Sequence, residues 1–150
     1  ICVGYFIYTT LTFLLKGIAI MAIEISWEAA SNQSVCQIAE NGKTWLSDIG
    51  PESGGSGLYP DPHQMLDSVL GACTVLTIQI YAKRKAIPLD SVLVSIMHLE
   101  ETGIYQLQRN IQLKGQLTEA QRSDLLRVAN KCPIHKVLSG QLTIITQLEA

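Results

Sequence analysis

Residues 61–88 form the longest stretch of helical periodicity in the chain and read DPHQMLDSVLGACTVLTIQIYAKRKAIP. Asp61 is a good N-cap, and Pro62 suits the first helical position because its missing N–H has no partner there. Apolar residues recur at steps of three and four, and small or apolar residues occupy the other sides as well. Basic residues come only in the last turn, as the helix dipole prefers, before Pro88 marks the exit. The pattern predicts a central, buried helix of about 24 residues.

Alternating apolar and polar residues predict strands on both sides of this helix. An Asn41-Gly42 turn separates two of the strands that precede it. A second helix, capped by Thr118, and a short helix over 133–138 follow later in the chain. The order of elements predicts an α+β fold in which two helices lie against a sheet. The predicted strands are 22–29, 34–39, 43–49, 89–99, 108–117 and 141–148.

The composition separates the first twenty residues from the rest. Apolar residues make up 47% of the 150 residues and charged residues only 16%, which rules out intrinsic disorder. Much of the apolar excess lies in residues 1–20, whose only charge is Lys16. We expect one domain over residues 21–150, starting at Met21, and an N-terminal extension over 1–20 that is not native. A membrane or export segment and an integral strand are the alternatives for residues 1–20.

Charge and cysteine usage narrow the classes of function. The formal net charge is −2, and the one basic run, 83–85, lies at a helix end, so we expect no nucleic-acid partner. Four cysteines occur without a C-x-x-C pair, which excludes a zinc ribbon and a thioredoxin motif. Without a convincing export signal, we expect a cytoplasmic protein with free thiols and no membrane partner. Cys2 and Cys36 are expected to be bystanders.

The other two cysteines stand where chemistry is conceivable. Cys132 immediately precedes Pro133, so it caps the short helix, where free N–H groups and the positive dipole end favour a thiolate. Cys73 lies on the buried face of the long helix and would need a nearby cation or donor to be reactive. Spacing alone leaves open that both are buried and inert. Cys132 and His135 would give a metal only two ligands, so we expect no metal site.

Four segments carry a family pattern: YPDPHQML at 59–66, LGACT at 70–74, YAKRK at 81–85 and ANKCPIH at 129–135. Together they resemble the OsmC/Ohr family, which comprises osmotically induced protein C and the organic hydroperoxide resistance proteins. The resemblance runs from about residue 27 to the end of the chain. It implies an OsmC-like α+β fold with antiparallel sheets and two central helices, one from each subunit of an intertwined homodimer. It also implies that both active sites lie at the subunit interface.

The same resemblance implies a thiol-dependent peroxidase that uses no cofactor. The Cys73 thiolate attacks an organic hydroperoxide and becomes a sulfenic acid, and Cys132 then condenses with it to a disulfide. An external dithiol reduces the disulfide. An apolar setting for Cys73 suits this substrate, since an alkyl tail needs an apolar pocket. The alternative is a non-catalytic dimer that binds a hydrophobic ligand or senses oxidation.

The chain departs from the hydroperoxide resistance proteins at two positions. Those members place a glutamate just after the proline that opens the long helix, where this chain has His63 and then Gln64. They also hold the thiolate with an N-terminal arginine, and this chain has no arginine before Arg84. A charged Arg–Glu pair would lower the pKa of Cys73 and orient the peroxide. The resemblance therefore implies a divergent OsmC-like member in which His63 and Gln64 bind the substrate.

Overall fold

The computed structural model describes residues 23–29, 34–101 and 104–149, and these form strands and helices in the predicted order. The elements are β1 (Glu24–Ser26), β2 (Cys36–Glu40), β3 (Lys43–Ser47), α1 (Pro62–Arg84), β4 (Leu89–Glu101), β5 (Ile104–Gly115), α2 (Glu119–Ala129) and α3 (Pro133–Leu138). One antiparallel sheet has the order β1-β2-β3, and the second is the antiparallel β4-β5 hairpin. The predicted α+β fold with antiparallel sheets is confirmed.

Local capping explains where α1 begins. The Gln64 N–H donates to the Asp61 carboxylate at 2.8 Å, and the Asp61 N–H donates to the Gln64 side-chain oxygen at 3.2 Å. This capping box satisfies two backbone donors that the first turn leaves free. Thr118 and Gln121 form the same arrangement at the start of α2. Both predicted N-caps are confirmed.

The core lies where α1, α2 and the hairpin meet. Ile78 and Ala82 of α1 are buried against Leu125 and Ala129 of α2, and half-buried side chains of β4 and β5 pack around them. Leu125 is fully buried, so its replacement by alanine is expected to cost about 2–5 kcal/mol of stability. This packing holds the middle of α1 close to the end of α2.

The prediction that α1 is buried all round is wrong for a single chain. Its buried residues form one stripe, namely Leu70, Thr74, Ile78 and Ala82. The hairpin, α2 and α3 all contact α1, and large apolar side chains elsewhere on the helix stay exposed. The most exposed of these are Val69, Leu76 and Ile80. Among the described residues, α1 is also the one helix with the length and hydropathy to cross a membrane, a test that core helices pass too.

The predicted final strand is also wrong for a single chain. Residues 141–149 take no regular secondary structure, and their apolar side chains are strongly exposed. A strand needs a neighbour for its backbone N–H and C=O groups, and neither sheet of the described chain provides one here. The other predicted strands form with shifted ends, and β1 shrinks to three residues. Three predictions concern residues outside the described ranges. They are the start of the domain at Met21, the interpretations of residues 1–20, and the bystander role of Cys2.

Candidate active site

Helix α1 and the start of α3 bring Cys73 and Cys132 together. Cys73 lies in the middle of α1 and is half-buried, whereas Cys132 is fully buried as the N-cap of α3. Both thiols are free, and they lie close enough for each to shift the pKa of the other. The predicted position of Cys132 at a helix N-cap is confirmed. The two cysteines that the sequence singles out are therefore neighbours in space.

Several donors stabilise negative charge on Cys132. Burial by itself raises the pKa of this thiol, but hydrogen bonds outweigh burial and lower the pKa below its ordinary value. The Cys73 side chain is the first of these donors. The backbone N–H groups of His135 and Ile134 follow, and the side chain of Thr74 is the last. The start of α3 thus acts on the sulfur as a helix N-terminus acts on an anion.

Cys73 has the opposite environment. Burial raises the pKa of its thiol, and the hydrogen bond to Cys132 raises it further. A bond from the backbone of Ile134 works against this without reversing it. Within the pair, Cys132 is therefore the more acidic thiol and Cys73 the less acidic one. This is the reverse of the free Cys73 thiolate that the resemblance implies.

Arg109 connects the segments that carry the two cysteines. Its Nη1 donates to the Thr74 hydroxyl oxygen at 2.9 Å and to the Ala129 carbonyl at 3.2 Å. Its Nη2 donates to the Asn130 side-chain oxygen at 2.7 Å. Arg109 is not among the site residues predicted from the sequence. A signal was present, because Arg109 stands at an inward position of β5 where the neighbouring inward residues, Leu107 and Ile111, are apolar.

A cavity of about 530 Å³ lies beside Arg109 and Asn130, and neither cysteine is among its lining residues. Its apolar wall comes from the inner side of β5 and from the helices, and includes Leu70, Leu107, Ile111, Leu126 and Leu138. Arg109, Asn130 and His135 contribute polar groups to the same wall. Such a mixture of apolar surface and a few polar groups is typical of small-molecule sites. Within the described residues, no group of three or more metal-binding side chains occurs.

A family model described as "OsmC-like protein" matches residues 54–147, a segment that contains both cysteines. The chain belongs to the OsmC/Ohr family. No curated protein matches its sequence. The predicted family is therefore confirmed. The two cysteines in the matched segment are neighbours in the structure.

Solved structures of OsmC-like proteins share this fold. One is the OsmC-like protein of Mycoplasma pneumoniae, at 20% identity and a TM-score of 0.67, covering 81% of this chain and 89% of that one. An organic hydroperoxide resistance protein of Elizabethkingia anophelis has 16% identity and a TM-score of 0.62, covering 84% and 92%. The organic hydroperoxide resistance protein OsmC of Legionella pneumophila has 17% identity and a TM-score of 0.59, covering 83% and 93%. At these identities, the likeness shows the fold.

The two remaining site residues of this OsmC-like protein lie apart from the cysteines within one chain. His63 precedes Cys73 by ten residues, which is about 15 Å along a helix axis. Its Nδ1 lies 3.1 Å from the Tyr105 hydroxyl. Gln64 is held in the capping box of α1. That His63 and Gln64 bind the substrate stays a prediction.

Proposed function

We propose that this OsmC-like protein is a thiol-dependent peroxidase that reduces organic hydroperoxides with Cys73 and Cys132. The observation that carries the proposal is the adjacent pair of free thiols, one half-buried and one fully buried. Two structural relatives are named organic hydroperoxide resistance proteins, which supports the same chemistry. The cycle suits the cytoplasm, where thiols are kept reduced.

The first step oxidises Cys73, because it is the more exposed of the two sulfurs. As this sulfur attacks the O–O bond of the hydroperoxide, its proton passes to the Cys132 thiolate. A sulfur–oxygen bond forms and the O–O bond breaks, so that Cys73 loses two electrons and the peroxide gains them. The departing alkoxide takes the proton from Cys132 and leaves as an alcohol. Cys73 is now a sulfenic acid, and Cys132 is again a thiolate.

The second step uses that thiolate directly. The Cys132 sulfur attacks the sulfenic sulfur of Cys73, the S–O bond breaks and a disulfide forms. The departing hydroxide combines with the proton that Cys132 released to solvent when it ionised, and leaves as water. An external dithiol then reduces the disulfide by thiol–disulfide exchange and becomes a disulfide itself. In this cycle Cys132 accepts and returns the proton of the first step. It therefore takes over work that the absent glutamate and arginine would share.

We further propose that the active form is a homodimer. The exposed apolar side chains of α1 need a cover in water, since monomeric proteins rarely leave large apolar patches open. Residues 141–149 take no regular secondary structure in the single chain and expose Leu142, Ile144, Ile145 and Leu148, which a strand paired with a second copy would cover. A second copy of this chain meets both needs at once.

A thiol count under anaerobic conditions tests the peroxidase. One equivalent of cumene hydroperoxide is expected to remove two of the four thiols of the wild-type protein. Cys73→Ser should lose none, and Cys132→Ser should lose one, with a sulfenic acid trapped by dimedone on Cys73. Cys36→Ser serves as the matched control and should behave as wild type. A wild-type protein that keeps all its thiols would overturn the proposal in favour of a non-catalytic binding protein.

A further inference from the structure

The cavity between β5 and the helices α2 and α3 carries an uncompensated positive charge. Its described lining includes Arg109 and no Asp or Glu side chain. No carboxylate pairs with Arg109 elsewhere either, among the residues whose side chains the structure describes. The groups that accept its hydrogen bonds, on Thr74, Ala129 and Asn130, are all neutral oxygens. These bonds position the half-buried guanidinium but leave its charge without a partner.

The polar groups of this lining include several N–H donors. Nη1 of Arg109 uses both of its N–H groups, on Thr74 and Ala129, and Nη2 uses one of its two on Asn130. The N–H on Nε and the second one on Nη2 remain for a ligand. Because the Asn130 side-chain oxygen already accepts from Arg109, the NH₂ group of this amide is left to donate as well. A carboxylate only accepts hydrogen bonds, so it matches such a set of donors.

The remainder of the lining suits an apolar ligand body. Leu70 is buried behind the cavity, and Leu107 and Ile111 of β5 are half-buried at its side. At the mouth, Ile104 is 63% exposed and Leu126 is 55% exposed in the single chain. An apolar group in the cavity would remove these side chains from water. The volume of about 530 Å³ lies within the range of small-molecule sites.

We propose that this cavity binds an amphipathic monocarboxylate, a small molecule with one carboxylate and an apolar body. The carboxylate lies on Arg109 and Asn130, and the apolar body lies against Leu126 and the inner side of β5. Neither Cys73 nor Cys132 lines the cavity. The binding site is therefore a second site beside the thiol pair, and it does not depend on the proposed peroxidase.

A small molecule explains this cavity better than a second copy of the chain does. The exposed side chains of α1 on which the proposed dimer rests, Val69, Leu76 and Ile80, do not line it. No residue of the segment 141–149 lines it either. A flat apolar contact between two copies would also leave the charge of Arg109 unanswered, whereas a carboxylate neutralises it.

Three probes with similar apolar bodies test the required charge. Isothermal titration calorimetry of the full chain is carried out with phenylbutyrate, phenylbutanol and phenylbutylamine. We expect phenylbutyrate to bind about tenfold more tightly than the alcohol, because hydrogen bonds to a charged group are the stronger ones, and the amine to bind most weakly. Equal affinities for the acid and the alcohol, or no binding of the acid, would overturn the proposal.

Arginine variants test the proposed contact. Arg109→Gln should weaken phenylbutyrate binding about tenfold, and Arg109→Lys should weaken it less, because lysine keeps the charge and loses the planar fork. Arg122→Gln is the matched control, since Arg122 is also half-buried and donates to a backbone carbonyl, that of Leu113, outside the cavity lining. Its dissociation constant should equal that of the wild type, and an equal loss in both glutamine variants would contradict the role of Arg109.

Charges of opposite sign at Leu126 test the site without disturbing the hydrogen bonds of Arg109. Leu126→Glu should abolish phenylbutyrate binding by repulsion, and Leu126→Lys should preserve or strengthen it. Equal losses in both variants would assign this surface to a protein partner and overturn the proposal. A variant with Cys73→Ser and Cys132→Ser should bind phenylbutyrate as the wild type does. A protein that spares peroxides and still binds the acid would therefore refute the peroxidase alone.

Discussion

Cys73 and Cys132 lie close enough to shift each other's pKa in opposite directions, and the fully buried Cys132 is the more acidic thiol of the pair. Cys73, the more accessible of the two, is the less acidic thiol. A peroxide that reaches Cys73 meets both the attacking sulfur and the base that takes its proton.

Removing either cysteine is expected to move the pKa of the other in opposite directions. Burial raises the pKa of Cys73 most and Cys132 raises it further, so Cys132→Ala removes the second cause and that pKa should fall. Cys73→Ala takes away a donor to Cys132, so the pKa of Cys132 should rise. Absorbance at 240 nm against pH measures both, with Cys36→Ser as the control. Shifts of the same sign in both variants would contradict this opposite effect of the two thiols on each other.

The rate of the first step is expected to follow the protonation of Cys132. The deprotonated form is the active one, so the rate should rise with pH and level off above the lowered pKa of Cys132. Single-turnover loss of thiols with cumene hydroperoxide between pH 5 and 9 measures this profile. An ordinary thiol ionises near pH 8.5 to 9. A rate that still rises at pH 9 would therefore mean that a Cys73 thiolate attacks without Cys132 as its base.

Elements with local signals could be predicted from the sequence. The start of α1 follows from Asp61 and Pro62, and the position of Cys132 follows from the proline after it. These signals depend on backbone donors within one turn of the residue that caps them. The family followed from four short motifs, and its fold is the one observed.

Features that depend on distant contacts could not be predicted. Arg109 reaches Thr74, 35 residues earlier, because the β4–β5 hairpin packs on α1 through β4, and no spacing rule expresses that contact. The strand predicted for 141–148 has the right alternation and lacks a partner in one chain. The burial predicted for all sides of α1 fails for the same reason. Periodicity shows which residues can be covered, but the covering layer can belong to another chain.

Asp48 is expected to make the fold sensitive to acid. Its buried carboxylate accepts hydrogen bonds from the Ser56 side chain and from the backbone of Ile49 and Ser56, and these lower its pKa despite burial. A carboxylate whose pKa is lower in the folded state stabilises the fold at pH values above its unfolded-state pKa of about 3.9. This stabilisation is lost as the pH falls through the lower pKa of the folded state. Asp48→Asn should lower Tm by several degrees at pH 7, with the deficit shrinking toward pH 3. Glu52→Gln, exposed in the same loop, is the control, and an equal loss in it would contradict this role.

A charge on the exposed face of α1 is expected to separate the proposed dimer. Leu76 is 54% exposed in the single chain, and Leu76→Glu would bury a carboxylate if a second copy covers this face. Leu58→Glu makes the same change at a loop position that is 77% exposed and serves as the control. Sedimentation velocity should show a dimer for the wild type and Leu58→Glu, and a monomer for Leu76→Glu. A monomeric wild type would contradict the homodimer. A monomeric wild type that binds phosphatidylcholine vesicles would instead assign the cover of α1 to a bilayer, because the same apolar face satisfies either partner and the two assays together tell them apart.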